Sequence, residues 1–247
     1  MINPFIPDKK SDLVIVDGRA SQEIIKELKN LDLDIVKTIK CEEVYEAVSY
    51  HPDIVIHPLN ENTLIVAPNV YDYYKDLFKL KKIKVIKGEK WLKRNYPNNI
   101  AYNVARVSGY AIHNFKHTDP KLKFYLKKAG LEMINVNQGY SKCSIANVSK
   151  NTIITSDPSI FKALNNFNIN ILNIEKGFIE LPGLNYGFIG GSTGCIGNDK
   201  VLFTGSLTNH PDQLKILNFL DKVKKEPNFL SRKKIIDLGS IIPLKYI

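Results

Sequence analysis

The 247-residue sequence predicts an α/β fold in which one unit, a β-hairpin followed by a helix and a strand, is used five times. Three observations predict it. The strand-like segments VIVDG, LIVAP, YAIHN, IITSD and LFTGS recur at intervals of roughly 43 to 50 residues, the range of stacked or propeller-like repeats. Asp157-Pro158 begins on the last residue of one of these segments and Asp119-Pro120 comes five residues after the end of another; both read as helix starts, with Asp as N-cap and Pro in the first helical position. The chain also ends on an apolar segment, SIIPLKYI, with no helix after it, while the first unit lacks its leading strand. Pairing of that segment beside Leu13 to Asp17 completes the first unit and covers a sheet edge otherwise open to unwanted pairing.

Taken in order, DLVIVDG, ASQEIIKELKNL and DIVKTIK form strand, helix and strand. In KCEEVYEAV, the positions of Val44, Tyr45 and Val48 mark a helix face, with Cys41 as a structural thiol beside it. The second unit runs DIVIHPLNENTLIVAP as hairpin, VYDYYKDLFKL as helix and IKVIKG as strand. The third runs IAYNVARVSGYAIHN, HTDPKLKFYLKKAG and LEMINVNQG. In the fourth, CSIANV and TIITS are hairpin strands, Ile160, Leu164 and Phe167 form a helical stripe, and INILNI alternates as a strand. The fifth has the hairpin CIGNDKVLFTGSL turning at Asn198-Asp199, a helix entered through Pro211, a loop containing Pro227, and KKIIDLG as closing strand. No Pro-, Gly- or Ser-rich linker interrupts the series, so one closed domain over residues 1–247 is expected.

Composition narrows the function classes. A hydrophobic content of 44% with 24% charged residues is that of a globular protein, and no apolar run reaches the length of a membrane span. The start MINPFIPDKKSD lacks the basic and apolar segments of a secretory signal. Cys41, Cys143 and Cys195 are far apart, which argues against a disulfide framework or a cysteine-paired zinc site and fits a reducing cytoplasm. The histidines, in HPDIVIH, HNFKH and TNHPD, show no metal-binding spacing, so neither metal nor cofactor is expected. The net charge of +10 comes from lysines spread over helices and loops; only Lys79 to Arg94 is dense enough for a basic patch. Arginine is scarce and nucleic-acid-binding motifs are missing, so nucleic acid or an acidic macromolecule is not the expected partner. Oligomeric state is not legible.

Five hairpin–helix–strand units around an axis resemble the pentein fold, the five-bladed α/β propeller of guanidino-group-modifying enzymes. The superfamily includes arginine and agmatine deiminases, dimethylarginine hydrolases and non-enzymatic ribosome-binding members. More narrowly, QGYSKCSIANVSKNTIITSD with ELPGLNYGFIGGSTGCIGNDKVLFTGSL looks like a clostridial-type bacterial family of that fold without an assigned function. The resemblance implies a central channel and, in the enzymes, a cysteine thiolate that attacks a guanidinium carbon, a histidine that moves protons, and carboxylates that hold the cationic nitrogens. The enzymes carry that cysteine near the chain end, where this sequence reads IDLGSIIPL, with Gly239, Ser240 and Ile241 and no cysteine. A small polar ligand or a partner bound at the channel, without deiminase chemistry, is therefore the expected function. The alternative is a cysteine-dependent hydrolase or transferase acting on a guanidine, amidine or amide-like substrate.

Candidate site residues follow from position. Cys195, preceded by Gly190, Gly191 and Gly194, is either a nucleophile on a ligand-cradling loop or a small buried hydrophobe beside a turn. Cys143 is the second candidate nucleophile. If GYSKCSI is a strand, Cys143, Ile145 and Asn147 share one face, while Lys142 and Ser144, with Tyr140 nearby, line the channel, where Lys142 favours an anionic group. His113, at the end of YAIHN, is the candidate proton carrier; His51 and His210 precede prolines, where loop or helix-start roles account for them. Asp17 and Asp157 end corresponding strands and are candidate ligand contacts, Asp157 doubling as a helix cap. Trp91 reads as a packing residue or a binding platform.

Overall fold

A computed structural model describes residues 3–197 and 199–246. Five three-stranded sheets carry the architecture. In the first, β1 (Leu13–Val16) leads into α1 (Gln22–Asn30) and β2 (Asp34–Lys37). A short helical turn, α2 (Pro52–Val55), opens the second unit, followed by β3 (Ile56–Asn60), β4 (Thr63–Val66), α3 (Tyr71–Lys79) and β5 (Lys84–Lys87). The third has β6 (Ala105–Val107), β7 (Tyr110–His113), α4 (Pro120–Lys128) and β8 (Glu132–Asn135). The fourth has α5 (Ser141–Ser144), β9 (Ile145–Ser149), β10 (Thr152–Thr155), α6 (Pro158–Leu164) and β11 (Asn170–Asn173). The fifth has β12 (Thr193–Cys195), β13 (Lys200–Phe203), α7 (Gln213–Lys222) and β14 (Glu226–Phe229), and β15 (Ile242–Leu244) follows.

Every sheet repeats one arrangement. A central strand pairs antiparallel with its hairpin partner and parallel with the strand that returns after the helix. The first sheet obtains its hairpin partner from the far end of the chain, where β15 lies antiparallel to β1 with Leu13 opposite Leu244 and Ile15 opposite Ile242. This is the pairing expected from the apolar ending. The central strands β1 and β10 are buried along their whole length, as strands covered on both faces must be.

The helix starts follow the cap chemistry read from the sequence. Asp119 accepts from the Leu122 amide, and Asp157 from the Ser159 and Ile160 amides, each with proline behind it. Ile24 and Leu28 of α1, Leu122 and Leu126 of α4, and Ile216 and Leu220 of α7 are the buried stripes. Apolar clusters join the sheets: Ile15, Leu64 and Ala111 meet in one, Ile112 and Ile145 in a second, Ala146 and Phe203 in a third, and Val14 and Leu202 in a fourth. The fifth sheet thus packs against both the fourth and the first.

Four segments differ from expectation. The strand closing the fifth sheet is β14, Glu226–Phe229, with Val201 opposite Pro227, rather than KKIIDLG. Proline is tolerated there because β14 is an edge strand, whose outward N–H positions need no partner. KKIIDLG instead crosses the sheet ends, bridging Ser206 at Lys234 and Glu180 at Ile236. Cys143 lies in the helical turn α5, because β9 begins only at Ile145. Residues 41–49 form turns ending in a 3-10 segment, Glu46–Val48, in place of a helix. The turn expected at 198–199 includes a residue outside those described. Among the described residues, no helix is long and apolar enough to cross a membrane.

Candidate functional site

The site forms where the segments leading into the hairpins meet. Asp53 on α2, Asn103 before β6, Cys143 on α5, Gly191 before β12 and Ser240 before β15 each lie two or three residues ahead of a hairpin strand. The repeat therefore delivers them to corresponding positions, and side-chain bonds join four of them. Asn103 Oδ1 accepts from the Lys142 and Cys143 amides at 2.8 and 3.2 Å, and its Nδ2 donates to the Asp53 carbonyl at 3.1 Å. That one amide clamps α5 to α2 and brings the Cys143 thiol to 3.2 and 3.1 Å from the two Asp53 carboxylate oxygens. Ser240 donates to Asp53 Oδ2 at 2.6 Å and accepts from Lys142 Nζ at 3.0 Å.

His51, in the position before α2, is 1% exposed, and neither ring nitrogen has a hydrogen-bond partner. Two carboxylates flank it, Asp17 Oδ2 at 3.8 Å from Nε2 and Asp237 Oδ1 at 3.8 Å from Nδ1. Asp17 is held by a bidentate contact from Arg19 at 3.0 and 2.7 Å. Asp237 accepts the amides of Phe188 at 2.9 Å and Gly239 at 3.0 Å. Gly191 and Gly239 make room for this packing. A Cβ on Gly191 would lie 1.9 Å from Asp237 Oδ1; one on Gly239, whose φ is +66°, would lie 2.2 Å from His51 Cβ.

Above this floor opens a cleft of about 240 Å³. His51, Cys143 and Asp237 reach it from below; Tyr45, Tyr140, Tyr186 and Phe188 form an aromatic wall, with Val48, Leu181 and Leu184 beside them. Tyr45 and Tyr140 touch through their hydroxyls at 3.3 Å, and Asn99 anchors Tyr140 at 3.0 Å. Burial, then the negative charges of Asp53 and Asp237, push the Cys143 thiol well above its ordinary range. Burial also raises the Asp237 carboxyl, with Asp53 adding to the shift and His51 opposing it. Burial lowers Lys142, with Asp53 acting against the shift.

Of the residues singled out from the sequence, Cys143 and Tyr140 line the cleft, and Asp17 supports it through His51. Gly190 and Gly191 pack against its floor, where Gly190 accepts from Lys142 Nζ at 3.3 Å. Lys142 turns inward to Ser240 rather than presenting a charge to the cleft, because the helical turn redirects it. Ser144 is buried on the same turn, its carbonyl accepting from Thr155. Cys195 does not join the site: its thiol donates to the Asn147 carbonyl at 3.2 Å within an apolar cluster, and burial raises it to about 12. Gly194 packs against Ile241. His113 is buried between Thr118 Oγ1 at 2.6 Å and the Gly139 carbonyl at 2.8 Å, and burial lowers it to about 3. Asp157 caps α6 and accepts from Gln138 at 2.7 Å. Cys41 is buried and raised to about 12, by burial and then Glu43, whereas Trp91 is 57% exposed.

Sequence reasoning missed His51, Asp53, Asp237 and Asn103. Proline after His51 explained that histidine too readily, and Asp237 sat in a segment expected to be strand. Superposing the five units on their hairpin starts would have placed Asp53, Asn103 and Cys143 together.

The chain belongs to a family described as a family of unknown function (DUF6873), which it matches over residues 15–242. No curated protein matches the sequence. By fold, the chain is similar to solved structures of pentein proteins. It is similar to the inosamine-phosphate amidinotransferase of Streptomyces griseus, with a TM-score of 0.57 at 11% identity, covering 98% of this chain and 95% of that one. A dimethylarginine dimethylaminohydrolase gives 0.55 at 11%, over 90% and 92% of the chains. The agmatine deiminase of C. jejuni gives 0.55 at 9%, over 92% and 89%. At such identities the likeness is one of fold.

Proposed function

We propose that the cleft binds a small organic cation with a planar guanidinium or amidinium head, within a single domain whose five sheets are blades about a common axis. The observation that carries this reading is the buried acid at the foot of an aromatic wall. Asp237 reaches the cleft with Asp53 and Asp17 behind it, three carboxyls against the two cations Arg19 and Lys142. A planar N–H donor suits a carboxylate whose other lone pairs are already oriented by backbone amides, as those of Asp237 are. Tyr45, Tyr140 and Phe188 supply faces on which such a cation stacks. The names of the fold neighbours, an amidinotransferase and an agmatine deiminase, agree with this ligand class.

The test is calorimetric titration with arginine, agmatine and benzamidine, with the matching ureas as neutral controls. Micromolar to millimolar binding of the cations alone is expected, and Asp237→Asn should weaken it at least about tenfold, the scale of one charge-assisted bond. Equal binding of ureas and guanidines, or none of either, removes the reading.

A second reading adds chemistry, because Cys143 faces the same cleft and its sulfur, a His51 nitrogen and an Asp53 oxygen all lie within 4.8 Å of one another. The Cys143 sulfur adds to the amidino carbon as its proton passes to His51. His51 returns that proton to the departing amine as the C–N bond breaks, leaving a thiouronium that water or an acceptor amine resolves. A bound cation beside Asp53 and Asp237 offsets the charges that hold the thiol protonated, so addition depends on substrate being present. Release of amine or ammonia with a mass adduct on Cys143 supports this reading; binding without either leaves the site a receptor.

A further inference from the structure

We propose that His51, Asp53 and Cys143 are a divalent metal site of the zinc class, with its open coordination position facing the cleft. The inference stands whether or not the cleft takes an amidino compound, since it rests on the ligand set alone. Residue spacing hides it, because 90 positions separate Asp53 from Cys143 and only the fold brings them together.

Three features make the cluster a ligand set rather than a chance of packing. The first is donor type and distance. One nitrogen, one oxygen and one sulfur lie within 4.8 Å of one another, and the Asp53–Cys143 pair is already at 3.1 Å. Tetrahedral zinc with bonds of about 2.0 to 2.3 Å sets ligand atoms roughly 3.3 to 3.7 Å apart, so side-chain rotations of about an ångström close the set. The second is the unsatisfied histidine. Both nitrogens of a fully buried imidazole lack a hydrogen-bond partner, an arrangement that costs stability unless something occupies it. Whichever nitrogen binds the ion, the other faces a carboxylate at 3.8 Å, Asp17 or Asp237, which a small shift brings into the outer-shell hydrogen bond that orients metal-bound histidines.

The third feature is charge. Counted formally, Asp17, Asp53 and Asp237 face Arg19 and Lys142, and a Cys143 thiolate would bring the deficit to two positive charges. A divalent ion supplies that amount and displaces the thiol proton. Asn103 to the sulfur at 3.2 Å and Ser240 to Asp53 at 2.6 Å already hold two of the ligands in place. Thiolate and imidazole together favour zinc-like ions over magnesium or calcium. Three protein ligands with a fourth position on a cleft is the pattern of an exchangeable site, in contrast to a closed structural one.

The experiment uses metal alone on the full chain. Co²⁺ added to the chelator-stripped protein should form a one-to-one complex with thiolate-to-metal charge-transfer absorption, which Zn²⁺ then abolishes by displacement. Cys143→Ser should remove the charge-transfer band and lower Zn²⁺ affinity at least about 100-fold; Asp53→Asn should lower affinity and keep the band. Cys41→Ser and Cys195→Ser should change neither. In the unmodified protein, which avoids any folding defect of the variants, Zn²⁺ should protect Cys143 from alkylation and a chelator should restore it. Lack of a charge-transfer complex overturns the assignment. So does a band that survives Cys143→Ser, or Zn²⁺ protection that falls on Cys41 instead. Failure of guanidine binding with an intact cobalt spectrum overturns the proposed ligand and leaves the metal site standing.

Discussion

At Cys143, two influences compete for one proton. Burial and the Asp53 carboxylate hold the thiol protonated, while the Asn103 amide favours the thiolate. The larger opposing group can be removed without changing shape. Asp53→Asn should therefore speed alkylation of Cys143 at fixed pH, measured by peptide mass spectrometry, with Cys195 unchanged as internal control. A rate equal to that of the parent would mean that burial and Asp237, without Asp53, set the reactivity. Cys195, clustered with Ala146, Val201 and Phe203, offers a contrast: an equally buried cysteine whose thiol donates to the Asn147 carbonyl instead of a carboxylate. The glycine-rich sequence before Cys195 serves a neighbouring purpose, since Gly190 and Gly191 let the chain press against Lys142 and Asp237.

Among the elements, the short turns α2 and α5 matter more to function than the long helices. Each precedes a hairpin and ends as the chain turns extended, at Ile56 and Ile145, so its side chains point across the strand ends instead of along a sheet face. The loop carrying Asp237, Gly239 and Ser240 completes the floor, and its carbonyl at Gly239 accepts the Asp53 amide at 3.1 Å. Gly239→Ala should cost at least about 1 to 2 kcal/mol from the left-handed backbone alone, with a further loss as the new methyl displaces His51. Urea unfolding reads the first effect. Weakened guanidine binding reads the second, and stability loss with unchanged binding would show that the floor tolerates the shift.

For the whole molecule, the joining of its two ends is the feature with the clearest energetic consequence. Ile242 is fully buried and sits opposite Ile15. Ile242→Ala should destabilise by about 2 to 5 kcal/mol, the range for deleting a buried aliphatic side chain, measured by denaturant unfolding. Acid should act through buried histidines. His113 is held neutral with its folded value lowered to about 3, below the ordinary value near 6.5 that it regains on unfolding. The unfolded chain therefore binds the proton first, and the stability this group contributes is present above about pH 6.5 and lost as pH falls toward 3. The expected slope is about 1.4 kcal/mol per pH unit for each such histidine, and His57, lowered by burial and then Arg106, adds to it. A stability curve flat between pH 6 and 4 would contradict both assignments.

The sequence by itself determined the repeating unit and the order of the units, because alternation, helix stripes and Asp-Pro caps are local properties of a few neighbouring residues, and the apolar ending beside the first unit's open edge pointed to their pairing. It also carried the resemblance to the pentein fold. Tertiary structure alone decided the site. Cys143 and Cys195 both read as candidate nucleophiles, one on a strand and one after a glycine-rich stretch, yet one meets Asp53 and His51 and the other a backbone carbonyl within an apolar cluster. That outcome depends on where strand β9 begins: a start at Cys143 would have sent its side chain along a sheet face, whereas a start at Ile145 leaves it on a turn directed at residues 90 positions away. The closing strand of the fifth sheet was decided in the same way, since Pro227 rules against a central strand but not against an edge. Long-range pairing chooses among local options of similar energy, and the chemistry lies where those choices converge.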